Sequence, residues 1–118
     1  MDNGCAGVCL DTANSFGCSE GPDSVLETLG PRVFNLHLKD YMIQRLKHLK
    51  GFLIEGCAAG QGQLDIPHLI QRIREMGGDP NVVLELWPGP EPSTGRTVAK
   101  EEAWAVQSVA FLRRYISE

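Results

Sequence analysis

Apolar and polar side chains alternate in three short stretches of this chain. The alternation assigns each stretch to a strand, because successive strand residues point to opposite faces. In residues 7–11, Val8 and Leu10 share one face and Cys9 and Asp11 the other. In residues 33–40, Phe34, Leu36 and Leu38 form an apolar face and Asn35, His37 and Lys39 a polar one. In residues 81–86, Val82, Leu84 and Leu86 lie together while Glu85 turns away beside Val83. Helical spacing fills the intervals. Pro22 and Asp23 open a short helix with Val25, Leu26 and Leu29 on its apolar side, and Gly30-Pro31 ends it. Asp65 caps a second helix with Pro67 in its first turn, Ile66, Leu69, Ile70 and Ile73 at i, i+3, i+4 and i+7, and Gly77-Gly78 as the stop.

A Pro/Gly-rich loop over 88–95 leads to a last helix capped by Thr97, with Ala105, Val109, Leu112 and Ile116 as its apolar stripe and Trp104 and Phe111 flanking. Glu101 and Glu102 come early and Arg113 and Arg114 late, as the helix dipole prefers. Strand, helix and strand within about 30 residues make a βαβ unit, which implies parallel strands and right-handed crossovers. The fold class is therefore α/β, arranged as three βα units in one domain over residues 1–118. Residues 12–21, rich in Gly, Ser and Asn, read as a loop at the C-terminal end of the first strand. The stretch 41–62 stays open: residues 45–49 suit a turn or two of helix, and Phe52-Leu53-Ile54 an extra strand or a packed loop. Gly60-Gln61-Gly62 lacks the six-residue dinucleotide fingerprint and reads as close backbone passage.

Composition narrows the functional classes. The chain has 118 residues, enough for one core, with 42% apolar and 22% charged residues, and a formal net charge of −4. That charge argues against a nucleic-acid partner, whose phosphates call for Lys and Arg. The basic cluster Arg45, Lys47, His48 and Lys50 reads as a solvated face. The four cysteines, at 5, 9, 18 and 57, have neither zinc-ribbon spacing nor the density of a disulfide scaffold, which suits reduced thiols, with Cys9 buried in its strand as a small hydrophobe. With no apolar run of membrane-spanning length and no leader-like start, the expected location is the cytoplasm, away from membranes.

Chemistry concentrates at the strand ends. Asp11, His37 and Glu85 each stand on the polar face near the C-terminal end of a strand, where parallel α/β architectures build active sites. Taken singly, each is an ordinary hydrogen-bonded strand end; the coincidence of three metal-capable residues points beyond that reading.

Leu10-Asp11-Thr12-Ala13-Asn14, His37-Leu38-Lys39-Asp40, Gly60-Gln61-Gly62-Gln63-Leu64-Asp65, Leu84-Glu85 and Phe111-Leu112-Arg113 follow one another in the order and approximate spacing of the last three βα units of a known family. Through them the chain resembles the sugar phosphate isomerase/epimerase family, the xylose-isomerase-like TIM barrels. The resemblance implies a partial TIM barrel corresponding to the family's C-terminal part. It also implies a divalent metal, Mn²⁺, Mg²⁺, Co²⁺ or Zn²⁺, on Asp11, His37 and Glu85, with the family's fourth ligand, a Glu of an earlier strand, lacking a counterpart. By the same resemblance, the metal stabilises an enediolate formed from a sugar or sugar phosphate. Glu85 is then both ligand and catalytic base, and Lys39 a catalytic cation that neutralises the substrate or a nearby acid. Asn14, where many members carry His, Asp40 and Trp87 are substrate contacts, and Asp40 also serves to orient His37 or Lys39; the structural alternatives are a salt bridge for Lys39 and Asp40 and packing for Trp87.

A full barrel takes about 250 residues, so the expectation from Met1 onward is a truncated or shortened barrel, catalytically weak alone. The alternative is a non-catalytic half-barrel remnant that binds a partner or itself. Either way, a parallel sheet with one face bare predicts a homodimer or larger oligomer. The apurinic endonucleases of the same superfamily fit less well, since they need three zinc ions and more His and Asp; Asn14 replaces a ligand His, and no Asp-x-His follows residue 40.

Overall fold

The computed structural model describes residues 6–47 and 50–116; Met1, Cys5, His48 and Leu49, which figure in the sequence expectations, lie outside them. Among the described residues, five strands and four α-helices follow in the order β1 (Val8–Asp11), α1 (Thr12–Gly17), α2 (Pro22–Leu29), a 3₁₀ turn (Gly30–Arg32), β2 (Val33–Leu38), β3 (Asp40–Arg45), β4 (Phe52–Cys57), α3 (Ile66–Glu75), β5 (Asn81–Leu84) and α4 (Thr94–Leu112). The α/β layout matches the patterning. Strands β1, β2 and β5 form one sheet in the order β1-β2-β5, and β3 and β4 form a separate two-stranded sheet. The chain groups into two compact units, one reaching to Leu38 with Ile66–Val83, the other comprising Lys39–Asp65 and the chain from Leu84 on.

In the first unit, β1 and β2 pair in parallel with Cys9 opposite Asn35, Leu10 opposite Leu36 and Asp11 opposite His37. Leu10, Leu36 and Leu38 are buried together with Val25 and Leu26 of α2 and Leu69, Ile70 and Ile73 of α3. Each such side chain taken out of water contributes about 1.5–3 kcal/mol. Two residues depart from the alternation. A register irregularity between Val8 and Cys9 turns Val33 into the core and leaves Phe34 52% exposed, its ring lying where a Cβ on Gly7 would stand. Cys9 is exposed, not buried, because it shares the sheet face of Asp11 rather than that of Leu10.

Residues 12–17 are a helix, not the expected loop. The Asp11 carboxylate accepts the N–H groups of Ala13 (2.9 Å) and Asn14 (3.0 Å), capping α1, while Thr12 and Ala13 are buried. An N-terminal cap with two buried anchors outweighs the turn preference of Asn and Ser.

In the second unit β3 and β4 pair antiparallel, in register from Asp40 opposite Cys57 to Arg45 opposite Phe52. Phe52-Leu53-Ile54 is therefore strand, and the helix expected over 45–49 does not form at Arg45. Lys39 breaks the ladder, so the strand predicted to run from 33 to 40 ends at Leu38 and Asp40 opens β3. Helix α4 begins three residues before Thr97, and Ser93 is its cap, accepting the Arg96 N–H at 3.4 Å. This earlier start moves Glu101 and Glu102 out of the first turn. The buried line of α4 is Ser108 and Leu112, whereas Val109 of the predicted stripe is 40% exposed. Ser108 is tolerated there because its hydroxyl accepts the Ala59 N–H at 2.9 Å. No helix among the described residues is long and apolar enough to cross a membrane.

Candidate metal centre

Asp11 ends β1 and His37 stands directly opposite it on β2, on the sheet face away from Leu10 and Leu36. Glu85 follows Leu84, the last residue of β5, which belongs to the same sheet. Asp11, His37 and Glu85 each offer one ligand atom, and these atoms lie within 4.8 Å of one another; all three side chains are partly buried. Donors in a tetrahedral shell at about 2.0–2.2 Å from one ion stand about 3.3–3.6 Å apart, so side-chain movement of about 1 Å brings the three onto one ion. Two carboxylates and one imidazole fit a divalent ion of the Mg²⁺ to Zn²⁺ range.

Asp11 has a second task, since its Oδ1 caps α1 and its own carbonyl accepts the Ser15 hydroxyl at 3.1 Å. Capping fixes the carboxylate before any ligand arrives. Asn14 is exposed on α1, tied to Asp11 through its backbone N–H.

Glu85 Oε1 lies 3.0 Å from Lys39 Nζ, an ion pair in which the Lys39 side chain is 14% exposed and that of Glu85 42%. Trp87 flanks the pair, its ring centroid 6.0 Å from Nζ, and packs over Gly56 where a Cβ would strike the indole. Lys39 thus meets both a carboxylate and an aromatic face, an arrangement that suits a fixed cation.

Asp40 is 2% exposed, and its carboxylate accepts four backbone N–H groups: Tyr41 at 2.8 Å and Leu64 at 3.2 Å on Oδ1, Gly60 at 2.8 Å and Gly62 at 2.9 Å on Oδ2. The Gly60-Gln61-Gly62 turn is the close passage expected: a Cβ on Gly62 would run into Asp40, and one on Gly60, at φ +83°, into the Phe111 ring. It also cradles an anion, and the anion is the chain's own. Burial, reinforced by the negative charge of Asp40, pushes the Tyr41 hydroxyl above its usual range and the Cys57 thiol up to about 11.

Patterning missed the double role of Asp11 and the loop clamp of Asp40, although an Asp directly before the buried Thr12 and Ala13 is an N-cap residue type. No local signal marks Ser108 as an acceptor, because its partner lies 49 positions away.

The family model of the xylose isomerase-like TIM barrel matches residues 1–115. Among curated proteins, the 3-oxo-isoapionate decarboxylase of Pectobacterium atrosepticum is 36% identical over 112 residues, 95% of this chain and 41% of that protein. A second relative, the uncharacterized protein YihM of Escherichia coli, is 30% identical over 70 residues, 59% of this chain and 21% of that one. The chain spans less than half the length of either.

Proposed function

Because the chain belongs to the xylose isomerase-like TIM barrel family, we propose that Asp11, His37 and Glu85 hold a divalent metal used on a sugar-derived oxo substrate. The observation that carries this reading is the convergence of the three side chains. When bound, such an ion supplies Lewis-acid stabilisation of negative charge on neighbouring substrate oxygens. The chain's own residues supply the rest. Asp11 is oriented by the N-terminus of α1 and His37 by the ladder opposite it. Glu85, a carboxylate on the edge of this group, is the candidate base for proton transfer between adjacent carbons, as an isomerase or epimerase requires. Lys39 offsets one of the two carboxylate charges, and Asn14 and Trp87 are the exposed groups for sugar hydroxyls and the sugar's apolar face.

A second reading is favoured by the decarboxylase relative. Loss of CO₂ from a 3-oxo acid and loss of a proton beside a carbonyl leave the same electron pair, delocalised onto the carbonyl oxygen. One metal-binding group therefore serves either bond cleavage. Titration calorimetry of the chain with Mn²⁺ tests the common premise: saturable uptake that His37→Ala abolishes or weakens is expected, and no uptake by the intact chain would sink it. If uptake is found, comparing CO₂ release from 3-oxo sugar acids with isomerisation of ketoses separates the two readings.

We also propose self-association. Cys9, Asn35 and Val83 are exposed on β1, β2 and β5. A parallel sheet seldom stays open to water.

A further inference from the structure

We infer that Asp40 is a positioning residue: by clamping the turn at 60–64 it holds Lys39 against Glu85, and so sets how that carboxylate is presented to a metal ion. The inference rests on the metal-site reading above. A carboxylate buried alone costs several kcal/mol, so Asp40 and the turn stabilise each other through their shared N–H bonds. Gly62 is required by this packing, since a Cβ there would displace either Asp40 or the Tyr41 carbonyl.

Lys39 is joined to this clamp by one peptide bond, at the point where the β2 ladder has ended and β3 begins. Its backbone is thereby anchored on one side by a carboxylate with four donors. Its ammonium is anchored at the other end by Glu85 and the Trp87 ring, which itself rests on Gly56. A ligand carboxylate whose outer oxygen is already hydrogen-bonded is held in one orientation, and loss of such an outer partner weakens metal binding about 10–100-fold. Asp40 makes no described contact with Glu85, so its effect passes through Lys39.

Titration of the intact chain with Mn²⁺ tests this on Lys39→Met, Asp40→Asn and the double variant. Each single change is expected to weaken binding about tenfold or more, with Lys39→Arg recovering part of the loss. The double variant should be no weaker than the worse single one, because both act on one contact. Unchanged or tighter binding by Lys39→Met, or full additivity in the double variant, would overturn the inference. A readout that needs no metal is the ¹³C resonance of reductively methylated Lys39, assigned by its loss in Lys39→Arg. Ring current from Trp87 should shift it in the parent chain, and Asp40→Asn should move it toward the exposed lysines. An unmoved resonance in a folded variant also overturns the inference. Should Asp40→Asn fail to fold by circular dichroism, Gly62→Ala, whose methyl displaces the carboxylate, replaces it. If the parent chain binds no Mn²⁺, the metal reading fails, while the resonance still decides the link from Asp40 to Lys39.

Discussion

Asp11 and His37 are register partners across the parallel β1-β2 ladder, so their side chains leave the sheet side by side on one face. A ligand pair built on a ladder is held by backbone hydrogen bonds, not by loop packing. His37→Ala should therefore leave the fold intact, with an unchanged circular dichroism spectrum. Mn²⁺ affinity should fall by more than the ~10–100-fold typical of an outer-shell partner. Calorimetry checks it.

Asp11 separates its two tasks under different substitutions. Asn still accepts N–H bonds at a helix start, so Asp11→Asn should change unfolding free energy by under about 0.5 kcal/mol while weakening metal uptake. Asp11→Ala removes the cap as well and should cost about 1 kcal/mol more. Urea unfolding alongside metal titration distinguishes the pair.

Ser108 is buried in α4, and its hydroxyl satisfies the Ala59 N–H. Ser108→Ala strands that donor in a buried position, at about 1–3 kcal/mol of stability. A denaturation midpoint equal to that of the parent chain would show that water replaces the hydroxyl.

Thiol chemistry should be selective. Cys9 and Cys18 are exposed, whereas the Cys57 thiol is pushed up to about 11 by burial first and Asp40 second. At pH 8, iodoacetamide should label Cys9 and Cys18 well before Cys57, as peptide mass spectrometry can follow. Because the folded thiol holds its proton more tightly than the unfolded one, its contribution to stability is complete below the ordinary thiol value of about 8.5. That contribution is lost as pH rises toward about 11. The raised Tyr41 hydroxyl acts in the same direction at higher pH. Thermal midpoints should accordingly fall across this alkaline window.

If the face carrying Cys9, Asn35 and Val83 is covered by a second copy, light scattering at micromolar concentration should report a dimer. The interface should then exceed about 1,000 Å² in total. Val83→Lys, placing a charge on a residue that is 45% exposed, should return it to monomer.

Elements whose residues repeat a simple period could be read from the chain alone. Alternation was legible at 8–11 and, apart from Phe34, at 33–38 because one face is buried, at 81–84 because Val82 and Leu84 are less exposed than Asn81 and Val83, and in α2 and α3 because their apolar residues recur on one side. It also named Asp11, His37 and Glu85, since strand parity puts metal-capable groups on the polar face. The remaining features depend on partners distant in the chain. Residues 40–45 pair with 52–57 in strands whose polar and apolar positions carry no clean period. Phe34 is turned outward by a register irregularity that belongs to the pairing, not to either strand. Thr97 loses the cap to Ser93 because both are competent and backbone geometry chooses. Asp40 and Ser108 are polar residues in buried places, and burial of a polar group is settled by who satisfies it. For Asp40 that partner is a turn about twenty residues on, and for Ser108 a backbone N–H in the turn after β4, 49 positions away. Period can place a side chain on a face; only the folded chain can bring it a hydrogen-bond partner.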